Sequence, residues 1–200
     1  MQSTHIQIEK AIKKKGRGKI FFANDFSMCG THFAIRHALS RLCQAGLIKR
    51  LSSGIYLYPK IDNELGLGVL YPSLDTIAKK IAQKDKARIA PTGVYALNRL
   101  GLSTQVPANY VYLTDGSPRR IKIGKGKGIL FKRTAPKNLA FKSDLTMLVV
   151  FALKEIKKGK VTNEHISRLK YVLQTVPKEQ IMQDIHLMPS WIKSLIMKLI

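Results

Sequence analysis

Thr31-His32-Phe33-Ala34-Ile35-Arg36-His37-Ala38-Leu39-Ser40-Arg41-Leu42-Cys43-Gln44-Ala45-Gly46, running on into Leu47-Ile48-Lys49-Arg50-Leu51-Ser52-Ser53-Gly54-Ile55-Tyr56-Leu57-Tyr58, decides how the first sixty residues fold. Thr31 stands where an N-cap belongs, because its hydroxyl can accept from an amide that a helix start leaves unpaired. Helix-compatible residues then continue to Ala45, and Gly46 supplies a left-handed stop. On a helical wheel Ile35, Ala38, Leu39 and Leu42 fall on one side, with Cys43 at its margin. Phe33, His37, Ser40, Arg41 and Gln44 fall on the other, with Arg36 on its shoulder. Leu47–Leu51 and Ile55–Tyr58 read as two short strands joined by Ser52-Ser53-Gly54, which is a hairpin signal.

Upstream, Ile6, Ile8, Ala11 and Ile12 predict a first helix that Gly16 and Gly18 end. Lys19-Ile20-Phe21-Phe22 reads as a strand, and Asn24 or Asp25 can cap a short helix ending near Gly30. The order is therefore helix, strand, helix, turn, helix, hairpin. That is the order of a winged helix-turn-helix, in which the third helix enters the DNA major groove and the hairpin is the wing. Residues 1–60 are assigned to this domain.

Downstream, Pro59 to Pro72 reads as a linker or exposed crossover. Leu74, Ile77, Ala78 and Ile81 restart a helical period, and a short helix is expected over Thr92–Leu100. Strands are expected at Tyr110–Thr114, Arg119–Ile123 and Ile129–Arg133. Asp144–Lys158, Asn163–Gln174, Glu179–His186 and Ser190–Ile200 read as four helices. Residues 61–200 thus form a mixed α/β domain with a helical tail from about residue 140, and the fold class is α+β.

Charge narrows the function. The 200 residues carry 35 Lys+Arg against 12 Asp+Glu, a net charge of +23. The excess is distributed: ten basic against two acidic residues in 1–58, fifteen against five in 59–140, ten against five in 141–200. Such self-repulsion points to a polyanionic partner, nucleic acid before an anionic membrane surface. The longest apolar run, Met147 to Leu153, is too short to span a bilayer. The first fifteen residues have no apolar segment and no small-residue cleavage site. Cys29 and Cys43 alone make neither a disulfide scaffold nor a zinc site. A cytoplasmic protein, not membrane-bound, is expected.

Three stretches resemble the AbiEi-like family of bacterial type IV antitoxins and regulators. They are Ala45-Gly46-Leu47-Ile48-Lys49-Arg50-Leu51 with Gly54-Ile55-Tyr56; Pro91-Thr92-Gly93-Val94-Tyr95-Ala96-Leu97-Asn98-Arg99-Leu100-Gly101-Leu102; and Ser103-Thr104-Gln105-Val106-Pro107 through Tyr112-Leu113-Thr114-Asp115-Gly116. Together they cover most of residues 20–135. The resemblance implies an N-terminal winged helix and a C-terminal antitoxin domain. It implies repression of the protein's own operon, and a nucleotidyltransferase-like toxin as partner, contacted directly or opposed only functionally. A monomer or homodimer fits it. The alternative is a basic RNA-binding or ribosome-associated protein without repressor activity.

For DNA reading the candidates are Thr31, Phe33, Arg36, His37, Ser40 and Arg41 on the third helix, and Lys49, Arg50 and Ser52 on the wing. Phe33 is either a DNA contact, a partner surface, or packing under the preceding turn. Lys49 and Arg50 either meet phosphate or form a solvated edge that discourages strand pairing. Candidate phosphate contacts elsewhere are Lys13, Lys14 and Arg17, and Arg119, Arg120, Lys122, Lys125 and Lys127 of a block with seven basic residues and no acid from Ser117 to Arg133. That block is either a backbone-binding surface or an exposed basic hairpin that could also meet an acidic protein. It is not a P-loop, since no Gly-Lys-Ser/Thr opens a helix. Asp144 and Glu155-Ile156-Lys157 imitate a nuclease pattern, but they read as an N-cap and a solvated helix face. No enzyme, cofactor or metal is expected.

Overall fold

The computed structural model describes residues 3–124 and 126–200, and the chain is α+β. It divides into two compact units: residues 1–80 with 122–126, and residues 81–121 with 127–200. The expected boundary at residue 60 falls inside the first unit.

In the first unit, α1 (Thr4–Lys15) starts where Ile6 N–H donates to Ser3 Oγ, and it buries Ile8 and Ile12 one turn apart. β1 (Lys19–Phe22) leads into a 3-10 segment, Ala23–Cys29, where Phe22 N–H donates to the Asp25 carboxylate at 3.1 Å. The expected short helix is therefore a 3-10 turn. α2 (His32–Gln44) begins as anticipated, with Ala34 N–H donating to Thr31 Oγ1 at 3.3 Å. Gly46 takes φ +74°, a left-handed conformation that costs a side-chain-bearing residue energy, and Leu47 N–H closes onto Leu42 O.

β2 (Lys49–Ser52) and β3 (Ile55–Tyr58) form the hairpin, with a bulge between Arg50 and Ser52. The three strands are antiparallel in the order β1-β3-β2. Ile8, Ile12, Phe26, Ile35, Ala38, Leu39 and Leu42 pack with Phe21, Tyr56 and Tyr58 from the sheet. Burying each of the larger side chains stabilises by about 1.5–3 kcal/mol. This core fixes which face of α2 remains outside. The arrangement is a winged helix-turn-helix.

Residues 59–72 are not a plain linker. β4 (Lys60–Asp62) and β5 (Gly68–Leu70) pair antiparallel with Ile61 opposite Val69. Leu65 N–H donates to the Asp62 carboxylate at 2.9 Å, and Gly66 and Gly68 supply positive φ for the turn.

α3 (Leu74–Lys84) runs across the division. The second unit then holds β6 (Ile89–Thr92), α4 (Gly93–Leu100), β7 (Asn109–Thr114), β9 (Lys127–Arg133) and the first three residues of β8 (Arg119–Ile123), whose last two fall with the first unit. The sheet order is β6-β7-β9-β8, with β7 and β9 parallel and β6 antiparallel to β7. β6 was not anticipated; its Pro91 is tolerated because β6 is an edge strand. Tyr112 and Phe131 occupy one sheet face with Tyr95 of α4 against Tyr112. Ala90 and Leu113 on the other meet Met147 and Phe151.

The tail is α5 (Asp144–Ile156), α6 (Asn163–Leu173), α7 (Lys178–Asp184) and α8 (Ser190–Met197). Every residue of α5 from Thr146 to Leu153 is buried, so the longest apolar run is a core helix. Ser143, not Asp144, caps α5: Thr146 N–H donates to Ser143 Oγ at 3.1 Å. The Asp184 carboxylate adds two bonds there, accepting from Lys142 N at 2.7 Å and Ser143 N at 3.0 Å. Among the described residues no helix is long and apolar enough to cross a membrane.

Candidate nucleic-acid interface

α2 presents two faces of opposite chemistry. Ile35, Ala38, Leu39 and Leu42 are at most 4% exposed, whereas Phe33 is 71% exposed and Arg36, His37, Ser40, Arg41 and Gln44 are exposed beside it. Residues 32–44 contain no Asp or Glu, so the outward face is cationic and hydrogen-bonding without internal neutralisation.

Phe33, Arg36, His37 and Ser40 line a groove of about 390 Å³ whose other wall includes Arg50 and Tyr56 of the wing strands. Arg50 and Tyr56 are cross-strand partners, which is why they arrive together. The Arg50 guanidinium Nε donates to Ser52 O at 3.4 Å. The rings of Phe33 and His37, one turn apart, lie 4.2 Å between centroids at 48°. Burial pushes the Tyr56 phenol and the Cys43 thiol above their ordinary values, with Arg50 opposing both shifts. Cys43 lies half-buried at the groove's edge, and that burial makes its thiol harder to ionise than an exposed one. Tyr56 went unrecognised in the sequence, where only the strand register would have revealed it.

The other predicted residues divide. Thr31 caps α2 through its hydroxyl. Arg41 is exposed but outside the groove lining, and Lys49 is half-buried opposite Leu57. Lys13 is bonded to Glu9 at 2.6 Å; this bond holds the Glu9 carboxyl low and the Lys13 ammonium high. Lys14 is exposed. Arg17 donates to Pro59 O at 3.1 Å and lies over the Tyr58 ring, so it fastens the chain after β3.

On β8, Arg119 is ion-paired with Asp85 and lies over the Phe131 ring. Arg120, Lys122 and Lys127 are exposed. Lys125 lies outside the described residues.

The Leu113-Thr114-Asp115-Gly116 stretch has a local structural role. Arg88 N–H and its Nε each donate to the Asp115 carboxylate at 2.8 Å, and its terminal nitrogens reach Leu139 O and Pro136 O. Burial raises the Asp115 carboxyl, yet the Arg88 hydrogen bonds and charge outweigh it and hold it below its ordinary value. Thr114 Oγ1 donates to Arg88 O and accepts from Gly116 N, each at 3.0 Å. Nearby, Tyr95 stacks on Tyr110 at 3.8 Å. The Arg168 guanidinium donates to Leu100 O at 2.7 Å, and its edge lies 3.1 Å from where a Cβ on Gly101 would stand.

Asp144 lies in the first turn of α5 and Glu155 near its end; Lys157 follows with φ +74°. Among the described residues, no three His, Cys, Asp or Glu side chains gather as a metal would need.

A family model described as "Family of unknown function (DUF6088)" matches residues 7–181, across the winged helix and most of the second unit. No curated protein matches the chain.

Proposed function

We propose that this chain, which belongs to the DUF6088 family of unknown function, is a cytoplasmic sequence-specific DNA-binding regulator that represses its own operon. The observation that carries this reading is the α2 groove: an acid-free helix face bearing Arg36, His37 and Ser40, with Arg50 on the adjoining wing. Arg is suited to the guanine edge, Ser to several bases, and the wing to phosphate. The distributed positive charge supplies the sequence-independent attraction. The resemblance of residues 91–116 to type IV antitoxins extends the proposal: the second unit counteracts a nucleotidyltransferase-like toxin.

The test uses the full chain on a duplex enriched from a random library and on a scrambled duplex. Arg36→Ala should cost about 1–3 kcal/mol on the enriched duplex and much less on the scrambled one. Lys49→Ala should weaken both nearly equally and make the slope of log affinity against log salt shallower. If Arg36→Ala weakens both duplexes alike, or neither, α2 does not read sequence and the repressor assignment loses its support.

A further inference from the structure

Phe33 is the one side chain on the outward face of α2 that cannot hydrogen-bond. At 71% exposure, its ring is presented to whatever occupies the groove. It stands in the first turn of α2, just past the Thr31 cap, and the first turns of a recognition helix meet base edges. The His37 ring, 4.2 Å away, backs it from one turn along. Its exposed neighbours on the helix are Arg36, His37 and Ser40, all polar, so the face is not an apolar patch of the kind that docks a protein. In a duplex major groove, the apolar group offered at a base edge is the 5-methyl of a pyrimidine.

We propose that Phe33, backed by His37, forms an apolar subsite for a pyrimidine 5-methyl group in the major groove. This rests on the duplex-binding reading above. The methyl belongs to thymine or to 5-methylcytosine; the chemistry is shared, with Arg36 beside Phe33 free to read a neighbouring base edge and Arg50 across the groove placed for phosphate.

The experiment takes the duplex enriched from a random library by the full chain. Each thymine is replaced in turn by deoxyuridine, which removes the methyl and nothing else. In a second arm, each cytosine is replaced by 5-methylcytosine. For the wild type, one or two deoxyuridine positions should weaken binding about fourfold each, the value of one buried methyl. Phe33→Ala, whose parent side chain is mostly outside the core, should fold normally and bind the thymine and deoxyuridine duplexes equally. If the deoxyuridine series is flat but 5-methylation of a cytosine tightens binding in a Phe33-dependent way, the subsite stands and its source is methylated cytosine. If neither series has an effect, or if Phe33→Ala keeps the methyl preference, the subsite is wrong while duplex reading survives. If no duplex is preferred over a scrambled one, both fail.

Discussion

Gly116→Ala is a substitution whose sign depends on a single distance. Gly116 is absent from the glycines with positive φ, so space is what requires glycine here. A Cβ at position 116 would stand 2.7 Å from the Ala87 Cβ and 3.4 Å from Thr114 Oγ1. Two carbons attract best at about 3.5–4.0 Å, so a gap of roughly 1 Å must open. Neither carbon has a rotamer by which to escape. Ala87 N–H is bonded to Ala82 O at 2.9 Å, and Gly116 N–H to Thr114 Oγ1 at 3.0 Å. Replacing glycine by alanine ordinarily stabilises by about 0.4–1 kcal/mol through the unfolded chain. Overpacking at such a contact costs about 1–3 kcal/mol, and it should win.

The assay is urea unfolding followed by the fluorescence of Trp191, the only tryptophan, which is packed partly against the helical core of the second unit. Ala87→Gly removes the opposing carbon, so the double variant should recover most of the loss, a coupling of about 1–3 kcal/mol. Gly116→Ala more stable than wild type by the ordinary gain of about 0.4–1 kcal/mol would refute the steric account. So would a double variant no better than the sum of the two.

Asp115 should contribute to the acid limb of stability in the same unit. Its carboxyl is held below its ordinary value in the folded state, so its contribution is present above the unfolded carboxylate pKa, near about 4. That contribution is lost as pH falls through the lower folded value. Melts between neutral pH and pH 2 should show Asp115→Asn less stable at neutral pH and converging with wild type at the acid end; parallel curves would discount the Arg88 bonds. For the antitoxin role, co-expression of the full chain should relieve growth arrest caused by a nucleotidyltransferase-like gene adjacent to it. A soluble chain that gives no relief counts against that extension.

The winged helix was legible because its signals are local. Thr31, Gly46 and the Ile35–Leu42 stripe sit within one helix, and Gly54 sits within one turn. Residues 60–70 hid their hairpin because Asn63, Gly66 and Gly68 read as breakers, while a single apolar pair, Ile61 and Val69, is too short a pattern to mark strands. β6 was hidden by Pro91. Intramolecular partners of the candidate residues were illegible where they are distant in sequence. Arg17 meets Pro59 42 residues on, Arg119 meets Asp85 34 residues back, and Arg88 meets Asp115 27 residues on. No periodicity or spacing rule reaches that far. The intramolecular contacts of Arg17 and Arg119, both still exposed, therefore do not show in the sequence.

Those distant pairings change what the net charge means. Glu9, Asp25, Asp75, Asp85 and Asp115 each hold a specific cation of their own unit or helix. The scarce acids thus act as local fasteners, tying down Lys13, Lys15, Lys79, Arg119 and Arg88. Nothing of the kind lies on α2, whose sequence has no acid, and Arg120, Lys122 and Lys127 of the β8–β9 segment are exposed. Glu9–Lys13 and Asp75–Lys79 pair within a single helix, and an exposed ion pair of this kind contributes little to stability. On the proposed reading, cations left on an acid-free face would gain most of their interaction free energy when phosphate binds and its counterions leave. That gain is indifferent to sequence. On the duplex-binding proposal, discrimination would come from the few groups on α2 that can tell one base edge from another, Arg36, His37 and Phe33.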